Sequence, residues 1–360
     1  MSPVVISAWS ALTSAGIGPA TVAARLRDHS GSPGGREVGS GSGYGEELPA
    51  SRAHVLDGFD IRAQLGRKGT SSFDRVTGLA VVCCREALDA AAMDLDAARR
   101  ARIGVSLGTT VGSLRSTSDY TRETLVAEKP YLVNPMQFPS TVMNCAAGQV
   151  AIRFGLRGVN ATIAGGPLAF LNGVRYAGMT IERGYADVML TGAAEEYTPH
   201  RAWLSHLTGA TGPLVTGEGA AMFVLRRPGL PAWAGTDPDA MILAISTAYG
   251  PGGGVQADQA LTGCVRRALH RAAVTGAEVS TVVTGESGTS DVSEFLPATA
   301  ALGHEPGRLL PKLSFGECGA ASGAIALGAL LSADCSGLGL ITGRGLDGSV
   351  GAALVQGRAR

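Results

Sequence analysis

From Ser71 onward the apolar positions recur at helical spacing. Val76, Leu79, Ala80, Cys83, Ala87 and Leu88 are three and four residues apart, predicting a helix with one buried face. After the polar stretch Asp94 to Arg102, the run Ile103 to Leu107 reads as a short strand that ends at Gly108-Thr109-Thr110. The same order returns later: Leu261 to Ala273 has helical spacing, and Ser280 to Val283 reads as a strand ending at Thr284-Gly285. Leu79–Thr110 and Ala260–Ser287 are therefore matching helix–strand–glycine units. Phe170–Gly192, a helix followed by ADVMLTG, likewise matches Gly319–Gly343, a helix followed by GLGLITG. Such internal repetition decides architecture before any local feature does. Two halves, 1–230 and 231–360, split near Pro228 to Pro238 and each alternating strands with helices, predict a layered α/β fold with helices between and outside the sheets.

Composition narrows the function classes. Lys plus Arg and Asp plus Glu number 30 each, so no long-range field draws the chain to nucleic acid or an anionic membrane. The six cysteines (Cys83, Cys84, Cys145, Cys264, Cys318, Cys335) show no CxxC spacing, as expected for reduced thiols in a cytoplasmic protein. The start, MSPVVISAWSALTSAG, has no basic leader pattern, and no apolar run approaches the roughly eighteen residues of a membrane span. A soluble, unprocessed protein is expected. The 52 glycines with only 5% aromatics suggest many tight strand-to-loop junctions. His29 to Pro49 is too poor in apolar residues to pack and reads as a surface loop.

Two motifs invite cofactor or metal chemistry. Gly343-Arg-Gly-Leu-Asp-Gly348 satisfies GxGxxG after an apolar strand, but SVGAALVQGRAR behind it reads as a final strand, not the helix a dinucleotide site requires. A glycine-rich turn between two strands accounts for it, and no cofactor is expected. The six histidines (His29, His54, His200, His206, His270, His304) are scattered, and His200 and His206, roughly 600° apart on a helix, do not share a face. No metal is expected.

A set of segments in order resembles the β-ketoacyl synthases of the thiolase superfamily. These are Gly108-Thr-Thr-Val-Gly112, Asn134-Pro-Met-Gln-Phe-Pro-Ser-Thr-Val-Met-Asn144, Phe154-Gly-Leu-Arg-Gly158, Ala186-Asp-Val-Met-Leu-Thr-Gly-Ala-Ala-Glu195 and Thr216-Gly-Glu-Gly-Ala-Ala-Met-Phe-Val-Leu225. The resemblance implies a thiolase-type fold, layered α-β-α-β-α from two pseudo-repeated halves, with a C-terminal half shorter than the family's. It also implies a site. A ketosynthase carries its acyl group on a cysteine at the N-terminus of a buried helix, where dipole and N–H groups favour thiolate and oxyanion. Two histidines support decarboxylation and carbon–carbon bond formation.

Counting from Gly184-Tyr-Ala-Asp187 puts the family cysteine at Pro167, which has neither nucleophile nor N–H. The first family histidine falls at Ser287 in Gly285-Glu-Ser-Gly-Thr289, and the second at Glu317, five residues after the retained Lys312. Cys145, the nearest thiol in sequence, sits in a small-residue segment that the resemblance places at a dimer interface. Such a pattern resembles the chain length factors, non-catalytic members that pair with an active ketosynthase and shape the tunnel of the growing polyketide chain, with an acyl carrier protein delivering substrates. Val111, Gly112, Leu114, Met136, Gln137 and Met143 are then the tunnel and dimer-interface candidates. The alternatives are a ketosynthase-like acyltransferase or decarboxylase with an unassigned nucleophile, and a scaffold that uses the fold for binding alone.

Overall fold

The computed structural model describes residues 2–28, 35–38, 47–209, 214–230, 239–286, 293–333 and 337–357. Ser287, Cys335, His29 and residues 231–238 at the expected junction of the halves lie outside them.

Ten strands carry the architecture. Val4–Thr13, Gly219–Arg226, Val188–Glu195, Ile103–Thr109 and Asn160–Ala164 lie side by side in that order, and Ala240–Tyr249, Ser349–Gly357, Leu338–Arg344, Val279–Val283 and Gly307–Leu309 repeat it. In each set the first two pairings are antiparallel and the last two parallel. The sets join where Val4–Ile6 pairs antiparallel with Ala240–Ile242, so hydrogen bonding runs through one continuous sheet.

Helices fill three layers around it. Ala169–Glu182 and Ala320–Ser332 lie between the two sets of strands, Arg75–Ala90 covers the outside of the first, and Gly254–Ala272 the outside of the second. This is the expected α-β-α-β-α layering. Strands buried on both faces read as continuous apolar runs rather than as alternation: in GAAMFVLR, Phe223 enters the central core while Met222 and Val224 enter the outer one.

The central core explains one glycine. Trp9 stacks on Phe223 at 6.0 Å, and a Cβ on Gly328 of the inner helix would lie 2.7 Å from Trp9 Cζ3. Only glycine lets that helix approach so closely.

Local departures have local causes. The outer helix starts at Gly254, before the predicted Leu261, because its first turns carry Gln256, Asp258 and Gln259, and only Ala257 is buried there. In the segment expected not to pack, Val38 is fully buried with Ala53, Val55, Tyr197 and Ala202, and Arg36–Glu37 pairs with Arg52–Ala53. Gly343 to Gly348 forms the turn between antiparallel Leu338–Arg344 and Ser349–Gly357, with Gly345 N donating to Ser349 O at 2.8 Å.

Candidate functional site

The inner helix Ala169–Glu182 is entered from strand Asn160–Ala164 through Gly165 and a 3-10 turn, Gly166–Leu168. Pro167 occupies the first positions of that turn, where its fixed φ is suitable and its missing N–H has no intrahelical partner to lose. Its side chain lines a cavity of about 20 Å³ with Gly285, Glu294, Lys312, Ser322 and Thr342. That volume holds roughly one water.

Lys312, in this lining, is paired with Glu317. Lys312 Nζ donates to Glu317 Oε2, and both side chains are only 11% exposed. The other oxygen, Oε1, accepts from Gly319 N at 2.7 Å and Ser322 Oγ at 3.1 Å, so both carboxylate oxygens are engaged. Burial alone would lower the Lys312 pKa, but Glu317 and then Glu294 hold it above the ordinary lysine value. Glu294 is fully enclosed. Burial raises its pKa, opposed by Thr342 Oγ1, which donates at 2.6 Å, and by Gly285 N, which donates at 2.9 Å. The sequence brings Pro167, Lys312 and Glu317 into view; the structure adds Glu294 and Thr342. Nothing in SEFLPATA marks Glu294 as buried, because its side-chain partner Thr342 lies on a strand 48 residues away.

Such a centre suits charge neutralisation better than group transfer. A condensing nucleophile needs a thiolate near neutrality, whereas burial pushes the thiols of Cys83, Cys84, Cys145, Cys264 and Cys318 upward. Cys145, half-buried, sits at the start of helix Cys145–Phe154. It lines a different cavity, one that shares no residue with that of Pro167. There Asp74 adds to the burial effect and raises the thiol further. The two histidines singled out in sequence lie on helix Pro199–Thr208, where His206 packs edge-on against Trp203 at 5.8 Å.

Of the six tunnel and interface candidates, Gly112 and Met143 line one small cavity together. Val111 and Gly112 follow strand Ile103–Thr109, Leu114 opens helix Leu114–Val126, and Met136 and Gln137 precede the turn Phe138–Thr141. Met143 covers Gly112: a Cβ on Gly112, whose φ is +69°, would lie 3.1 Å from Met143 Cα. Met136 is 69% and Met143 48% exposed. Leu125, Val126, Tyr131, Leu132 and Phe138 are also exposed, so the stretch from 125 to 143 carries much apolar surface. Beside it, strand Asn160–Ala164 pairs only with Ile103–Thr109 among the described strands, and its residues are exposed or half-buried.

A sequence model described as the β-ketoacyl synthase N-terminal domain matches residues 1–228. The chain belongs to the β-ketoacyl synthase family. In three dimensions this ketosynthase-family chain superposes on the ishigamide ketosynthase/chain length factor with a TM-score of 0.86 at 32% identity, covering 99% of both chains. It also matches a β-ketoacyl synthase from Burkholderia phymatum, with a TM-score of 0.86 at 20% identity over 99% of this chain and 100% of that one. A third match is to a chain of a type II polyketide synthase acyl-carrier protein in complex with its hexaketide-bound ketosynthase. Its TM-score is 0.81 at 17% identity, again over 99% of this chain and 100% of that one. These last two show the thiolase-type fold alone. Among curated relatives, 3-oxoacyl-[acyl-carrier-protein] synthase 2 of Staphylococcus aureus is 31% identical over 150 residues, 42% of this chain and 37% of that enzyme. The enzyme of the same name from Vibrio cholerae is 30% identical over 144 residues, 40% of this chain and 34% of that enzyme. The matched segment thus spans about a third of the length of these curated relatives. The family member most informative here is the ketosynthase/chain length factor.

Proposed function

We propose that this chain is a non-catalytic, chain-length-factor-like subunit of a type II polyketide or polyene synthase, pairing with an active ketosynthase and shaping the tunnel for the growing acyl chain. The observation that carries this reading is Pro167 at the start of the inner helix, above a lysine neutralised by Glu317. Where the family presents sulfur and imidazole, the count against the family blocks puts a ring without a donor and an ion-paired carboxylate. The 32% likeness to a ketosynthase/chain length factor supports the same class. The exposed apolar stretch and the edge of Asn160–Ala164 that no other described strand covers suit a partner of the same fold, since an edge strand offers its N–H and C=O groups to another chain.

In this reading the partner ketosynthase supplies all covalent chemistry, an acyl carrier protein delivers the substrates, and no cofactor or metal takes part. Free thiols at Cys83, Cys84, Cys145, Cys264 and Cys318 suit a reducing cytoplasm, and among the described residues no helix is long and apolar enough to cross a membrane. The alternative of an unassigned nucleophile finds no favouring observation among the described thiols. Co-expression with the ketosynthase of the same pathway is the test. A stable heterodimer that elongates carrier-bound substrate is expected, and a chain that is a stable homodimer and elongates unaided overturns the reading.

A further inference from the structure

The turn that follows strand Ile103–Thr109 carries Val111 and Gly112 and leads into helix Leu114–Val126, whose far end exposes Leu125 and Val126. None of the 13 residues of that helix is buried. A helix without a buried face draws little stability from packing, so its direction depends on how its first residues are mounted. Ser113 caps it, the hydroxyl accepting from Ser116 N at 3.3 Å, and Thr117 Oγ1 donates to Thr141 O at 3.3 Å.

The mount is built of buried polar groups. Glu195, 1% exposed at the end of strand Val188–Glu195, accepts through Oε1 from Thr110 N and Thr109 Oγ1, while Oε2 pairs with Arg201 at 2.5 Å. Thr110 is also held from the other side, since its Oγ1 accepts at 3.2 Å from Ala320 N, the first N–H of the inner helix Ala320–Ser332. Thr109 Oγ1 accepts from Gly112 N at 3.0 Å across the turn. Packing leaves little slack: a Cβ on Gly319, whose φ is +54°, would lie 2.7 Å from both Arg201 Nη2 and Thr110 Oγ1. Gly319 N in turn donates to Glu317 Oε1 at 2.7 Å, so the turn and the carboxylate paired with Lys312 belong to one hydrogen-bonded unit.

We propose that Thr110 is a positioning residue: clamped between Glu195 and the start of the inner helix, it holds the turn Thr109–Ser113, and with it helix Leu114–Val126, in the orientation that the partner ketosynthase meets. This rests on the subunit role above and gives Glu195, Arg201 and Gly319 a task that needs no covalent chemistry. An exposed helix mounted in advance loses less conformational freedom on association than one the partner must fix.

Two variants at Thr110 carry the test. Thr110→Val keeps the shape of the side chain and removes the acceptor for Ala320 N, whereas Thr110→Ser keeps the acceptor. In the isolated chain, amide hydrogen exchange within 111–126 is expected to speed up at least tenfold in Thr110→Val, with strand Val188–Glu195 unchanged, and to stay at the wild-type rate in Thr110→Ser. Titrated with the pathway's ketosynthase by biolayer interferometry, the valine variant is expected to bind at least fivefold more weakly and the serine variant as wild type. Should the valine variant not fold, Thr110→Ala removes the same acceptor and carries the same expectation. Exchange within 111–126 that stays at the wild-type rate, or that rises equally in strand Val188–Glu195, overturns the clamp. A loosened helix that binds the ketosynthase as tightly as wild type overturns the positioning role. A wild-type chain that does not bind the ketosynthase overturns the subunit role instead, and the exchange result still decides the clamp.

Discussion

Lys312 Nζ and Glu317 Oε2 form an ion pair in which each side chain is 11% exposed, and the second oxygen of Glu317 is held by Gly319 N and Ser322 Oγ. The pair stands where the family resemblance places a lysine and an imidazole. In the subunit role proposed above it replaces proton transfer by a closed electrostatic contact, and Pro167 and Lys312 line the same cavity.

Breaking that pair from one side leaves a buried ammonium whose remaining carboxylate neighbour among the described residues is Glu294. Glu317→Ala is expected to cost on the order of 3 kcal/mol of stability, read as a lower midpoint in guanidinium unfolding. The double variant Lys312→Met with Glu317→Gln recovers most of the loss, because neither charge then remains buried.

Glu196 gives the fold a pH dependence. Burial, with Asp74 adding to it, raises its pKa from 4.5 to about 7. Between those values the unfolded chain has lost the proton that the folded chain keeps, so stability is fully present below pH 4.5 and is lost as pH rises through 7. The span corresponds to on the order of 3 kcal/mol. Thermal unfolding from pH 5 to 8 is expected to show a falling Tm that Glu196→Gln flattens; a Tm that rises over this window contradicts the assignment.

Gly112 combines a left-handed backbone with a close neighbour, since a Cβ would sit 3.1 Å from Met143 Cα. Gly112→Ala is expected to destabilise the chain by about 1–2 kcal/mol from the conformational strain alone. Denaturant unfolding measures the effect.

How much of this was legible in the sequence follows from the range of the interactions involved. The two helix–strand units around Val76 to Leu107 and Leu261 to Val283 were visible because their apolar spacing is local, and the GxGxxG turn was visible because no helix could follow Gly348. Pro167, Lys312 and Glu317 could be placed by counting against the family's blocks. Glu294 and Thr342 could not, being 48 residues apart and joined only by a side-chain contact across the sheet. Glu196 was hidden for a related reason: its partners Ser113 and Val76 are 83 and 120 residues away, so nothing within AAEEYTP shows that it points inward. Val38 was missed because a single apolar residue in a polar stretch gives no periodicity to read.

The interaction face yields a separate expectation. Phe138 is 55% exposed and packs its ring 6.0 Å from that of Tyr120, so its outer side is free for a partner. Phe138→Asp is expected to weaken heterodimer affinity by at least tenfold while leaving the Tm of the isolated chain within a few degrees of wild type, as analytical ultracentrifugation and calorimetry can determine.

The most direct measurement is intact-protein mass spectrometry of the isolated chain after incubation with acyl and malonyl thioesters. The account predicts an unmodified mass and no decarboxylation, with Pro167→Cys alone restoring neither elongation nor product release. An acyl adduct on any residue of the wild-type chain, accompanied by turnover, contradicts it.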